Sequence, residues 1–463
     1  MNNIKRILGI SFLTLLLFPL NLYAWDDKEV HPILSEAAIY NSVLNSQNLK
    51  INLAMKDGVE EIVNGMELFK WIKLGSTLED KAPRFLNHFH NPINPIESWD
   101  TAGLDDFLFS GKSSVLWAQD SGTQEGSAGG DWSWSKTRDY YHNSLIAIDR
   151  NVKEKEFSNA LLGLGHQIHL LQDMAVPAHV RNDAHPLPYN AGGAPNIEKW
   201  AAQNRSTIKN IGNAATITTD VPLNQSTVSN GVVLAPTARL SDNDQYDGSN
   251  PSTSVSTGLA EYTNANFFSD DTIFTENAGI DDPHGFPFPK KTSTDLQSYI
   301  DANKLPATVI AKDGVEDVGF WIEKTGDGEE ITHFVKPTYF TYEISPETHP
   351  ALYHRLFYLD EACHRDYAEK LIPRAIGYSA ALLDYFFRGT IQISPPDEYI
   401  YSVIDGGGAD QQFENIKAKL HNTTPDEAML DGTLVAVARY KRRIDYVPDL
   451  SANEPPLASS REA

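Results

Sequence analysis

A chain of 463 residues with 41% hydrophobic and 10% aromatic residues has enough apolar mass for a large core, which excludes wholesale disorder. Its 62 acidic against 38 basic residues give a net charge of −24, a surface that repels phosphate backbones at long range and counts against a nucleic-acid binder. Cys363 is the only cysteine, so neither an intrachain disulfide nor a thiolate zinc cluster can form.

Residues 1–24 carry Lys5 and Arg6, an apolar run over 7–20, and Leu-Tyr-Ala before Trp25, the three-part layout of a secretory signal. Cleavage after Ala24 makes the Trp25 α-amino group a free terminus. A terminal amine and its own carbonyl oxygen can chelate one metal in a five-membered ring. Beyond the signal there is no apolar run of membrane-spanning length and no cysteine after the cleavage point for lipidation, so a soluble, secreted or periplasmic protein is expected.

From 35 to 73 apolar residues recur at three- and four-residue intervals, which predicts mainly helix. Loops are expected over 75–80 and 87–92, then a helical pair over 132–151 and 154–174, with Pro177 stopping the second. Residues 200–256, rich in Ser, Thr, Asn and Gly, read as a long surface excursion. A helix is predicted over 259–268 and a β-hairpin over 328–342, where apolar and polar residues alternate. The strongest helix spans 360–388, with Leu371, Ile372, Ala375, Ile376, Ser379, Leu382, Leu383 and Phe386 on its apolar face, a kink at Pro373 and Gly389 at its cap. Strands are expected over 399–404 and 433–440, and no internal repeat is found. The expected architecture is mainly α: a multi-helix domain over 25–389 with a long irregular insertion at about 200–345, then a small β module and frayed tail over 390–463.

The sharpest local signal is His169-Leu-Leu-Gln-Asp173 followed by Pro177-Ala-His179. Positions i and i+4 share one helix face, so His169 and Asp173 can hold one ion, and zinc takes imidazole nitrogen and carboxylate oxygen. The plainer reading is a buried histidine bonded to an aspartate one turn away. Two more pieces shift the balance: Gly75-Ser-Thr-Leu-Glu-Asp80 with His88-Phe-His-Asn-Pro92, and Trp25 with His31. Seven of the fourteen histidines fall in or beside these elements (His31, His88, His90, His166, His169, His179 and His185). A ligand pool without cysteine suits catalytic zinc better than a structural site.

In this order the motifs resemble the zinc-dependent phospholipases C and their relatives, the single-strand-specific zinc nucleases. The family pattern is an N-terminal Trp and nearby His, Gly-Ser-Thr-x-x-Asp, His-Phe-x-x-Pro, a helical His-x-x-x-Asp, and a His six residues later. The Gly-Ser-Thr loop and the His-Phe segment look more like the phospholipase branch. The likeness covers about 25–200 and the helix at 360–388.

The resemblance implies up to three Zn2+ ions: one on Asp80, His88, His169 and Asp173, one on Trp25 and His31 with Asp173 bridging, and one on His179, a further His and an acid. The family commonly places that last pair four residues apart. Here Glu198 is preceded by Ala194, so His185 is the expected substitute, with Asp183 possible and Asn196 a poorer donor; His90 and His166 read as supporting residues.

The implied chemistry is phosphodiester hydrolysis by zinc-activated water, with Asp80 orienting the water or taking its proton. A phospholipid substrate, with transient contact at a membrane surface, is favoured, and no obligate protein partner is inferred. Trp99, Trp117, Trp132 and Trp134 are candidates for a lipid-facing rim, with core packing as their alternative. The rival readings are a single-strand nuclease of the same family and an exported binding protein with a degenerate third site.

Overall fold

The computed structural model describes residues 29–101, 103, 111–183, 195–224, 233–246, 253–272, 309–312, 315–318, 321–324, 328–337, 357–397, 403–405 and 413–425. The chain divides into two units, Met1–Gly389 and Thr390–Ala463. The fold is mainly α.

The helices of the first unit that matter to the site are α1 (Val30–Asn41), α2 (Leu68–Leu78), α3 (Ser114–Trp117), α4 (Ser121–Glu125), α5 (Trp134–Ile146), α6 (Arg150–Asp173), α7 (Pro177–Val180), α8 (Ile197–Gln203), α9 (Arg205–Ala214), α10 (Pro236–Ser241), α11 (Leu259–Asn266) and α12 (Glu361–Phe386). The central element is α6. Asp149 caps it by accepting the Val152 N–H at 3.0 Å, and every residue from Ala160 to Asp173 is buried. A stretch buried on every side must be enclosed by other elements, and α6 packs against α2, α5, α12 and α1.

The α2–α6 contact is unusually close. A Cβ added at Gly75 would lie 2.0 Å from Leu162 O, and one at Gly165 would lie 2.1 Å from Ile72 O. These two glycines let the backbones touch, and so bring the C-terminal end of α2 against the ligand-bearing end of α6. The predicted loop at 75–80 is corrected accordingly: Gly75 to Leu78 complete α2, and Glu79 caps it.

Of the stretch 200–256, expected on the surface, residues 202–224 are largely exposed or half-buried, but residues 236–243 supply core. Ile208 of α9 and all of α10 are buried, and α10 packs against α3, α6, α12 and α11. Its polar composition misled because Thr237, Arg239 and Ser241 are buried with internal partners. Residues between α6 and α7 turn without help from a proline: Pro177 begins α7 rather than ending α6.

Helix α12 presents the predicted apolar face, buried throughout, and is capped by Asp360, which accepts N–H bonds from Ala362 and Cys363 at 3.1 Å each. It runs through Pro373 to Phe386 and is capped by Phe387, two residues before Gly389. Of the hairpin expected over 328–342, only one strand, β2 (Ile331–Pro337), falls in that range; it pairs with β1 (Ile322–Lys324), before it, and β3 (Phe357–Tyr358) in an antiparallel sheet, its Phe334 stacks on Phe268, and residues 338–342 lie outside the described residues.

In the second unit Ile391–Ser394 pairs with Lys419–Asn422, and Val403–Asp405 with Phe413–Ile416, both antiparallel. The strand expected over 433–440 lies outside the described residues.

Candidate metal centre

Five side chains converge where α1, α2 and α6 meet: His31 from the first turn of α1, Asp80 just after α2, His88, and His169 with Asp173 from the last turns of α6. His31, His169 and Asp173 form one group of potential metal ligands, and Asp80, His88 and His169 another. Asp173 sits between them. Its Oδ1 is 3.2 Å from His31 Nε2, and its Oδ2 is 3.0 Å from His88 Nδ1 and 3.2 Å from His169 Nε2. Asp80 Oδ1 is 3.3 Å from His88 Nδ1 and 3.5 Å from His169 Nε2.

These contacts are short without being hydrogen bonds. Both oxygens of Asp80, both of Asp173, and His31 Nε2 are sealed from solvent and have no hydrogen-bond partner. Buried polar atoms left in that condition cost on the order of 1–3 kcal/mol each, so a cluster of five needs an explanation. A bound cation would supply one. Two ligands of a tetrahedral ion, each about 2.0–2.1 Å from it, stand about 3.3–3.4 Å apart, inside the 3.0–3.5 Å range of these contacts.

The imidazole tautomers agree. His31 Nδ1 donates to Gln172 Oε1 at 2.8 Å, and His169 Nδ1 donates to Ser76 O at 2.5 Å. In each ring Nδ1 thereby keeps a proton, which leaves Nε2, on the carboxylate side, as the nitrogen able to give a lone pair to an ion. Fixing the outer nitrogen in this way orients a metal ligand. These His/Asp groups could hold a metal ion.

Charge in the metal-free site is balanced internally. Burial lowers His169, but Asp173 and Asp80 outweigh it and raise its pKa well above the ordinary value. His88 is raised to about 9 in the same way, burial being overcome by Asp173 and Asp80. Burial would raise Asp173, yet His169, His179 and His88 hold it well below the usual carboxylate range; Asp80 is likewise depressed, by His169 and His88. His31 is lowered, by burial and by His169.

His179, on α7, lies at the edge of this cluster. Its Nδ1 donates to His88 O at 3.2 Å, and its Nε2 is 3.3 Å from Glu198 Oε1 of α8. Asn196 is committed elsewhere, its side chain accepting the Lys199 N–H at 2.9 Å as the cap of α8. Asp183 lines a small cavity together with Glu198, Asp270 and His364. Of the sequence-derived ligands, the structure thus gathers His31, Asp80, His88, His169 and Asp173, with His179 and Glu198 paired alongside. Trp25 and His185 lie outside the described residues.

Of the supporting residues the sequence reading named His166 but missed Glu79, to which His166 donates. Glu79, fully buried, accepts from Trp117 Nε1 at 2.7 Å, from Arg84 Nε at 2.8 Å and from His166 Nδ1. Burial would raise Glu79, but Arg84 and His166 hold it down at about 2. Burial lowers His166 to about 4, so a neutral ring meets an ionised carboxylate. The only linear clue was an acid five residues before an arginine.

His90 has no part in the cluster: Nδ1 bonds Ser113 Oγ at 2.8 Å and Nε2 bonds Asp242 Oδ2 at 2.6 Å. Trp99, Trp117 and Trp134 are buried in the core, and Trp132 stacks on His166 with ring centroids 5.0 Å apart. Comparison of the chain with protein-family models, with curated proteins and with solved structures finds no match.

Proposed function

We propose that this chain is a zinc-dependent phosphodiester hydrolase that cleaves phospholipids in the manner of a phospholipase C. The observation that carries the reading is the buried, unpartnered carboxylate pair, Asp80 and Asp173, ringed by three histidines whose spacings suit a tetrahedral ion. Pure nitrogen and oxygen donors suit hydrolytic zinc, and the order of the motifs along the chain supports the same family.

Asp173 reaches both ligand groups with different oxygens, which is the role of a bridge. His31 and the terminal amine of Trp25 are assigned to one ion, Asp80, His88 and His169 to another, and His179 with Glu198, completed by His185, to a third. Bound zinc supplies charge neutralisation at the phosphoryl oxygens and lowers the pKa of water towards about 7. Asp80, whose Oδ1 faces the histidines, would have the task of orienting the attacking water or taking its proton. The net charge of −24 disfavours a nucleic-acid backbone over a lipid head group.

The test is release of phosphorylated head group from phosphatidylcholine by the zinc-loaded chain beginning at Trp25, with single-stranded DNA in parallel. Release abolished by a chelator and restored by zinc is the expected result. DNA cleavage with no action on lipid moves the protein to the nuclease branch, and zinc bound without turnover on either substrate makes it a binding protein.

A further inference from the structure

His88 faces the cluster the other way round from its neighbours. Its Nδ1 turns inward, 3.0 Å from Asp173 Oδ2, 3.3 Å from Asp80 Oδ1 and 3.3 Å from His169 Nε2. Its Nε2 is buried, has no hydrogen-bond partner, and points away from the cluster at Glu79 Oε1, 3.9 Å distant. His31 and His169 each have an oxygen in contact with the outer nitrogen; for His88 the oxygen in that position belongs to Glu79.

Glu79 is built to stay where it is. Trp117, Arg84 and His166 all donate to it, and Arg84 is itself anchored on Gln124 Oε1 at 2.9 Å and Gly130 O at 2.8 Å. It contributes no atom to either ligand group. An imidazole that binds a metal must offer a lone pair from one nitrogen and keep its proton on the other, and the partner of the outer nitrogen selects which.

We propose that Glu79 is a positioning residue for the metal centre: it selects the Nε2–H tautomer of His88 and so presents the Nδ1 lone pair to the ion. The gap between His88 Nε2 and Glu79 Oε1 exceeds a hydrogen bond by about 1 Å. A small tilt of the ring closes it, and such contacts commonly tighten only in the loaded site. The inference rests on the metal-centre reading and makes a distinct demand on it, since the unaided alternative is His88 bound through either nitrogen.

Two measurements test it on the full protein. The first is the tautomer of His88 in zinc-loaded protein labelled with nitrogen-15 at histidine, assigned by comparison with His88→Asn. The expected spectrum shows Nε2 protonated and Nδ1 bare and shifted by the ion; Nδ1 protonated with Nε2 on the metal overturns the proposal. The second is zinc affinity of Glu79→Gln, which keeps one acceptor oxygen but replaces the other with a donating amide and so cannot serve all three donors and His88. A 10- to 100-fold loss is expected, the usual cost of losing an outer-shell partner. Trp117→Phe removes a hydrogen bond to the same oxygen yet leaves the carboxylate facing His88, and should stay within about threefold of wild type on the same scale. Equal losses in both variants, or none in Glu79→Gln, make Glu79 merely structural. If Glu79→Gln does not fold, the tautomer in the unaltered protein decides. Wild-type protein that binds no zinc removes the metal reading and this inference together, whereas zinc bound through His88 Nε2 removes only the inference.

Discussion

At the scale of single residues, Asp173 carries more of the proposed centre than any other group, because its two oxygens serve different ligand sets. Asp173→Asn keeps the shape and one acceptor but loses the charge that two ions would share. We expect zinc content to fall by at least one ion and hydrolysis to fall by about 10³-fold, equivalent to about 4 kcal/mol of lost stabilisation. Metal analysis of the purified variant beside a turnover assay checks both. Full metal content with wild-type turnover would remove Asp173 from the bridge.

Far from the cluster, Asp384 offers a pH-dependent test of stability. Burial pushes its pKa up from 3.8 to about 6, against the Val43 N–H that it accepts at 2.8 Å. The folded state therefore keeps a proton that the unfolded chain releases. The penalty is absent below about pH 4, grows between pH 4 and 6, and is complete above that. Asp384→Asn retains an oxygen for Val43 and should be more stable than wild type at pH 7–8 by roughly 1–1.5 kcal/mol, about half of what two pKa units give once partial exposure is allowed for. Denaturant melts at pH 4 and pH 8 check this; an equal gain at both would show that the carboxylate's charge is not the cause.

At the scale of elements, the site depends on how closely α2 approaches α6. A methyl group at Gly75 has backbone oxygen only 2.0 Å away, so the helices must part to accept it. Gly75→Ala should destabilise the fold by about 1–3 kcal/mol and weaken metal binding as well, since Asp80 follows α2 while His169 and Asp173 ride on α6. Loss of stability with unchanged zinc affinity would show that the two helix ends register independently of that contact.

These elements also show what the sequence made legible. The apolar face of α12 was readable because eight residues at helical spacing all needed cover, and i,i+4 geometry was enough to put His169 and Asp173 together. The mainly α class followed from the same periodicity. By contrast, α10 was hidden: its burial is that of polar side chains satisfied by partners far along the chain, such as Thr237 with Gln167, and composition carries no sign of them. Gly75 read as a loop residue, although its role is to be small. Glu79, Gln172 and Ser76 escaped for a related reason: each acts through a partner that only the folded chain brings near.

At the scale of the whole molecule, an ion held by the proposed centre would be bound only in the folded chain, so its occupancy would add directly to stability. With free zinc at about a thousand times the dissociation constant the gain is about 4 kcal/mol, and chelation should lower Tm by several degrees. Differential scanning calorimetry with and without chelator measures it. A Tm indifferent to chelation at neutral pH would argue that the fold does not need the ion to offset its buried carboxylates.

The spacing of the ligands along the chain has a kinetic consequence. His31 meets Gln172 across 141 residues, and His169 meets Ser76 across 93. Contacts so distant in sequence form late, after the entropy of closing long loops has been overcome. The α6 pair is preassembled as soon as its helix forms, but alone it offers only two donors. Zinc capture should therefore be one of the last events of refolding, lagging behind recovery of helical circular dichroism, so that metal uptake becomes a clock for completed assembly rather than for secondary structure.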